Sequence, residues 1–525
     1  MSHGARAPST AEAVDGSFRG LDTPKAGRLS RALTSRAAAL VVLAVLAAGV
    51  YAPNLRDYFI GDDFDLIGSF TGRPPSYFLR LLVDNASGDV WKDWGLDASS
   101  GRGFLRPLPM WLLKLDSMIW GTRPLGFRLT ATTAFVALVV CVFLILEALG
   151  ARRSTAFLAA WGVAVHPVMA AIVPFVAARE ETLTTAFALA GFYCFLAFRR
   201  GAASVAPVFV LYALALLTKE TAVVWIALPL GYDMICGAFA GGATRERRRV
   251  MTFHGGLIAL LAGYLGLRWV AFGNVVGGDG RPTRYSSPTA FLDYHARFWT
   301  NLAGRRLFDA HGIPALGWVA IVVALAVVAL AFRRAGPASP WPRRALFFGP
   351  YWYLSATALF YGTYYDDRHH SLAIAGLALF LGLAVDAVTG PLDRGTRAAF
   401  VAGGLVVVTA VWLPATLRNA REFHEASLAT ARAREAIEAL TAGLPDGAVV
   451  RLVDTPLRDE PPFYFGWGLQ SALKRPFTPS DAGRRLRIVD PMDQALNGRA
   501  TLMPRHVDLE IRFRESPPGS IEWVR

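Results

Sequence analysis

Apolar runs separated by short charged segments organise most of this chain. A bilayer core about 30 Å thick needs roughly 20 apolar residues in one helix. The sequence offers about eleven such runs, at residues 37–53, 129–146, 154–178, 182–198, 201–218, 221–244, 250–267, 312–332, 345–365, 371–390 and 398–417. The pattern predicts an α-helical polytopic membrane protein. Pro167 and Pro174 inside one run predict a broken helix, which a membrane tolerates where it lines a cavity. In the long connection 54–128, Leu108, Trp111, Leu112, Leu115, Met118 and Ile119 recur at helical spacing behind Pro107 and Pro109. This predicts a helix lying in the membrane surface. Lys114 and Asp116 in its middle argue against a further span. After the last run a polar helix over 419–442 stops at Gly443, Pro445 and Asp446-Gly447, and strands are expected at 449–453, 485–489 and 507–513. A small C-terminal α/β domain follows, with no solenoid repeat.

Composition agrees: of 525 residues, 54% are hydrophobic and 18% charged, and the mean hydropathy is +0.36, outside the range of soluble globular chains. The +14 net charge would suggest nucleic acid in a soluble protein. Here the basic residues sit in alternate short loops, so no nucleic-acid partner is expected. Arg152-Arg153, Arg199-Arg200, Arg245 with Arg247 to Arg249, Arg333-Arg334, Arg343-Arg344, and Arg394 with Arg397 mark the cytoplasmic side. The basic tail 1–36 reads as disordered and cytoplasmic, the region 37–417 as membrane domain, and 418–525 as the extracytoplasmic α/β domain. The expected location is the cell's inner (plasma) membrane, among membrane lipids. Cys141, Cys194 and Cys236 fall in apolar stretches and give neither a disulfide framework nor a metal site.

Ionisable residues at the outer membrane face are costly and are therefore functional candidates. Asp62, Asp63 and Asp65 crowd the start of the first outer loop. Carboxylates at a low-dielectric boundary repel one another, which raises a pKa and poises one for general-base work, or they share a cation. Asp63-Phe64-Asp65 fits the loose D-x-D pattern of metal-assisted sugar transfer, and a solvated acidic turn is the alternative. A divalent metal is compatible with the sequence but not required by it. His166-Pro167 with Arg179, Glu180 and Glu181 forms a second cluster. Lys219-Glu220 is a third, where an ion pair satisfying a buried turn is the competing reading. Asp366, Asp367, Arg368, His369 and His370 form a fourth. Adjacent histidines point apart and do not share one metal ion. The outer-face arginines, Arg106, Arg268, Arg281, Arg284, Arg297, Arg305 and Arg306, run against the positive-inside trend and suit an anionic phosphate at the membrane surface.

Taken in order, Asn54 to Ile67 (NLRDYFIGDDFDLI), Arg106-Pro107-Leu108, His166-Pro167 with Arg179-Glu180, and Leu216 to Ala222 (LLTKETA) resemble the GT-C glycosyltransferases. The likeness is to the protein O-mannosyltransferases and the transmembrane, tetratricopeptide-containing O-mannosyltransferases, and it covers roughly residues 37–390. It implies a GT-C type fold and an inverting transfer of a sugar from a polyprenyl-phosphate donor to an acceptor hydroxyl on a protein or glycan. The base is then Asp62 or Asp63, with the other acid positioning the acceptor. Arg106, Arg179, Lys219 and Arg368 hold the donor phosphate, and His166, Glu180 and Glu220 shape the cleft. Arg368-His369-His370 departs from the family's Arg-Tyr pattern, and the tetratricopeptide repeats are absent. A transporter or lipid flippase, or a polyprenyl-linked polymerase or ligase, are the competing classes. A transporter would place its ionisable groups near mid-bilayer and often carries internal repeats, neither of which is seen here.

Overall fold

The computed structural model describes residues 35–70, 73–82, 104–236, 244–275, 287–302, 315–334, 347–362, 366–454, 465, 468–489, 506–514 and 520–524. Nearly all of the basic tail lies outside the described residues, as do Arg281, Arg284, Arg305, Arg306, Arg343 and Arg344.

Among the described residues, six helices are long and apolar enough to cross a membrane. They correspond to α1 (Arg36–Tyr51) with the 3-10 turn Ala52–Arg56, α5 (Pro124–Ala148), α7 (Arg179–Arg199), most of α10 (Thr244–Phe272), α14 (Ser371–Thr389) with the turn Asp367–His370 before it, and α15 (Arg394–Thr441). The other five apolar runs fold as shorter or interrupted helices. The run with two prolines gives α6 (Arg153–Ala164) and then a 3-10 turn, Pro167–Ala171, because proline supplies no amide to the helical ladder. The remaining four give α8 (Ala206–Thr218), α9 (Ala227–Ile235) after the turn Glu220–Ile226, α12 (Ala315–Arg334) and α13 (Phe348–Thr357). In the first outer connection lie α2 (Asp63–Phe70), α3 (Pro75–Arg80) and α4 (Pro107–Trp120), and α11 (Pro288–Leu302) lies in a later one. Helix α4 forms over the stretch where the sequence predicts a helix. Pro107 and Pro109 occupy its first turn, where a missing amide costs nothing, and Leu115, Met118 and Ile119 are exposed along one side.

Helix α15 is continuous across the 417/418 boundary that composition suggests. Its buried face runs unbroken through Thr416, Asn419, Ala420, Phe423, Ala426, Thr430, Ala433 and Ile437, at the three-to-four residue spacing of one helical stripe. The change of character at 418 therefore concerns its exposed face. Beyond it, β1 (Val449–Val453), β2 (Arg487–Val489), β3 (Leu509–Arg514) and β4 (Ser520–Val524) form a sheet in the order β2-β1-β3-β4. Strand β1 runs parallel to both neighbours, with Val450 beside Ile488 and Leu509, and β3 pairs antiparallel with β4. Val450 and Leu452 point into the core.

Two large cores result. One fills the helical bundle. The other sits at one end of that bundle, where Phe59, Phe64 and Ile67 of the 54–128 connection join Ala433 and Ile437 of α15 and Val450, Phe465, Leu469, Phe477 and Ile511 of the α/β domain. The outer loop and the C-terminal domain thus share one interior.

Candidate functional site

The chain leaves α1 through the turn Ala52–Arg56 and is fixed at once. The Asn54 amide donates to Asp57 Oδ2 at 2.7 Å and to the carbonyl of Ala420 at 2.9 Å. Asp57 Oδ1 meets His424 Nδ1 at 2.6 Å. Four residues after Asp57, Gly61 adopts φ +50°, a left-handed geometry that glycine enters without a Cβ penalty, and α2 begins at Asp63. Asp63 is 0% exposed. Its Oδ2 accepts from the amide of Ile60 at 3.2 Å and its Oδ1 from the amide of Ala177 at 2.7 Å. Burial, reinforced by the neighbouring Asp62 charge, outweighs Arg128 and the two amides and pushes the Asp63 carboxyl up to about 7. Asp62 is only partly buried.

Asp63 and Asp65 both lie in the first turn of α2. Residues two apart on a helix do not share a face, so the D-x-D tripeptide does not place them side by side. Among the described residues no group of three or more His, Cys, Asp or Glu side chains is arranged to hold a metal ion.

Arg128, in the first turns of α5, ties two outer segments together. Its Nε donates to the Asp57 carbonyl at 2.9 Å, one terminal nitrogen to the Tyr58 carbonyl at 2.6 Å, and the other to the Pro174 carbonyl. With the bond from Ala177 to Asp63, this docks the acid turn against the segment that opens α7, whose first residues are Arg179, Glu180 and Glu181.

The charged residues at that opening form a network with α4 and the α8 exit. Arg106, at the N-cap of α4, donates to Glu180 and through two nitrogens to Glu220, with Nε at 2.9 Å. Lys219 donates to Glu181 and, at 3.3 Å, to Glu180. The competing reading of Lys219-Glu220 as an ion pair is corrected here: each residue pairs elsewhere, because sequence neighbours direct their side chains apart. Burial disfavours the charge on Arg106 and on Lys219, but their carboxylate partners prevail and hold both pKa values above the usual range. Burial likewise acts to raise the Glu220 carboxyl, and Arg106 overrides it, leaving it at about 2. His369 Nε2 lies 3.6 Å from Glu181, and its ring stacks on Phe360.

Arg179 is 1% exposed and bonds to Asp116 of α4 and to the Pro109 carbonyl. Arg368 grips Asp366 through Nε at 2.9 Å and a terminal nitrogen at 2.6 Å, and its guanidinium lies 5.7 Å from the centre of the Phe175 ring. His166 is buried, accepts from the Val168 amide at 3.3 Å and packs on Trp412, so it caps the broken segment. Glu181, a member of the second sequence cluster, and Asp57, Asp116, Arg128 and His424, which the sequence did not single out as site residues, complete the arrangement. A charge at the very edge of the apolar run 129–146 was the available signal for Arg128.

The described residues thus define a helical chain with six helices long and apolar enough to cross a membrane, and the candidate ionisable groups of its first outer connection, the α7 opening and the α8 exit come together in space. No family model matches the chain, and no curated protein matches it in sequence. Similar solved structures include ArnT from Cupriavidus metallidurans bound to undecaprenyl phosphate, with 14% identity and a TM-score of 0.46 over 92% of this chain and 94% of that one. ArnT in the apo state gives 15% identity and 0.46 over the same shares. The Archaeoglobus fulgidus oligosaccharyltransferase tethered to an acceptor peptide containing the NVT sequon gives 12% identity and 0.43 over 86% of this chain and 64% of that one.

Proposed function

We propose that this chain is a GT-C type membrane glycosyltransferase. It moves a sugar from a polyprenyl-phosphate donor to a hydroxyl of a protein or glycan acceptor at the extracytoplasmic face of the plasma membrane. The observation that carries the reading is the pair of acids at the outer end of α1: Asp62, partly buried, beside Asp63, wholly buried and held by two amides. Asp62 is the general base and Asp63 fixes its position and basicity. Asp62 takes the acceptor's hydroxyl proton as that oxygen attacks the anomeric carbon. The bond from that carbon to the donor phosphate oxygen breaks, and the electron pair leaves with the polyprenyl phosphate. A single displacement inverts the anomeric centre.

Arg106 and Lys219 meet the departing phosphate with N–H groups left over from their carboxylate bonds. Glu180 and Glu220 orient them. Arg368 stands beside Phe175 as a further phosphate contact. Arg179 is occupied within the fold by Asp116 and serves to hold α4 on α7, and His166 shapes the cleft by capping its broken segment.

The test is release of free sugar from synthetic polyprenyl-phosphate mannose, glucose and arabinose by purified protein in nanodiscs. Release that Asp62→Asn abolishes supports the reading. Absence of both release and binding for all three donors overturns it.

A further inference from the structure

The acid turn does not stand on the membrane helices alone. Gly468, in the α/β domain, packs so closely on it that a Cβ at this position would lie 2.2 Å from the Gly61 carbonyl oxygen and 3.2 Å from Phe64 Cβ. The obstructing atom is backbone, which cannot swing aside as a flexible side chain can. That same oxygen accepts the amide of Phe64 at 3.3 Å and so belongs to the turn that leads into α2 and carries Asp62 and Asp63.

Aromatic rings surround the contact. Phe477 sits edge-on to both Phe59 and Phe64, with ring centres 5.6 and 5.0 Å away, and Phe465 lies 6.3 Å from Phe64. The supporting segment is itself braced. Thr478 donates to the Ala472 carbonyl at 2.8 Å, Gln470 to the Gly483 carbonyl at 2.7 Å, and Arg434 of α15 to the Phe477 carbonyl at 3.1 Å.

We propose that the C-terminal α/β domain is a positioning device for the acid turn, with the bare backbone of Gly468 and the ring of Phe477 setting where Asp62 and Asp63 lie. The proposal rests on the reading of that turn as the base of a glycosyl transfer. Gly468 and Phe477 are positioning residues: they touch Gly61 and Phe64, and act on the carboxylates through them. A domain whose sheet lies outside the membrane bundle thereby acquires a part in the chemistry without supplying a reacting group.

Gly468→Ala in the full chain tests this, with Gly443→Ala as a control in the same domain, since a Cβ at Gly443 meets nothing within 4 Å. Amide hydrogen exchange over residues 58–66 should quicken about 10-fold in Gly468→Ala while the membrane helices keep their protection. Turnover of the polyprenyl-phosphate sugar should fall by about 10²-fold with donor KM held, the signature of a displaced reacting group. Wild-type exchange in a folded Gly468→Ala protein, or faster exchange with wild-type turnover, overturns the proposal. Should Gly468→Ala fail to fold, Phe477→Leu carries the same comparison. Should the wild-type chain release no sugar from any of the three donors, the functional reading falls, and exchange at 58–66 decides by itself whether the domain holds the turn.

Discussion

The Asp63 carboxylate and the Ala177 amide, 114 positions apart, meet at 2.7 Å. That bond seats the acid turn at the end of the first helix on the segment that opens α7, and so brings two charged clusters together at one end of the bundle.

The first prediction concerns pH. The Asp63 carboxyl rises from an ordinary 3.8 to about 7 in the folded protein, through burial and then the Asp62 charge. A raised acid contributes stability that is fully present below its unfolded value and is lost as pH climbs through about 7. Turnover should move the opposite way, rising through about 7 as Asp63 loses its proton and its charge strengthens the neighbouring Asp62 as a base. Melting temperature and kcat/KM across this range should therefore slope oppositely. Asp63→Asn should flatten the melting curve and move the kinetic limb toward ordinary carboxylate values.

The two acids should differ in kind. Asp62→Asn keeps shape and removes basicity, so turnover should drop on the order of 10²–10⁴-fold with donor binding and melting temperature kept. Asp63→Asn turns an NH2 toward one of two backbone amides and should destabilise the fold by about 1–3 kcal/mol. Equal turnover losses without any melting difference would contradict this division of labour.

In the Arg106 and Lys219 network two cations face three carboxylates, a formal charge of −1. Glu220→Gln neutralises that excess and should tighten binding of undecaprenyl phosphate, most visibly at low salt. Lys219→Met should weaken it by about 10- to 100-fold, the scale of a charge-assisted hydrogen bond. Titration calorimetry that gives the reverse order removes both residues from the phosphate site.

Arg128 satisfies three carbonyls from two outer segments. Arg128→Met strands all of them and should cost about 3 kcal/mol or more. Arg128→Lys has a shorter reach without the fork and should recover only part of that. Limited proteolysis between residues 57 and 62 reads out the loosening.

Orientation is tested by fusion. A reporter enzyme active only in the cytoplasm should be silent after Arg525 and active after Arg200.

Much of this face was legible in the chain. Asp62-Asp63, Arg179-Glu180 and Lys219-Glu220 each stand where an apolar run ends, and counting runs brings them to the same side. The partners were not legible. Lys219 takes Glu181 and Glu180, and Glu220 takes Arg106, because pairing depends on how the helix ends meet and not on adjacency in sequence. Arg128 stands immediately before an apolar run, and its carbonyl partners at Asp57, Tyr58 and Pro174 left no local pattern. Gly468 carried no pattern at all, since its role is the absence of a side chain beside a carbonyl 407 positions away.

Helix α15 has 48 residues, a rod about 72 Å long at 1.5 Å per residue, against a hydrocarbon layer of about 30 Å. Its first half is apolar enough to cross such a layer, and its second half packs against the C-terminal domain, whose Gly468 meets Gly61. A rod seated in this way is a lever. A bilayer that thins or thickens changes the rod's tilt, and its far end sweeps through a larger arc than its root.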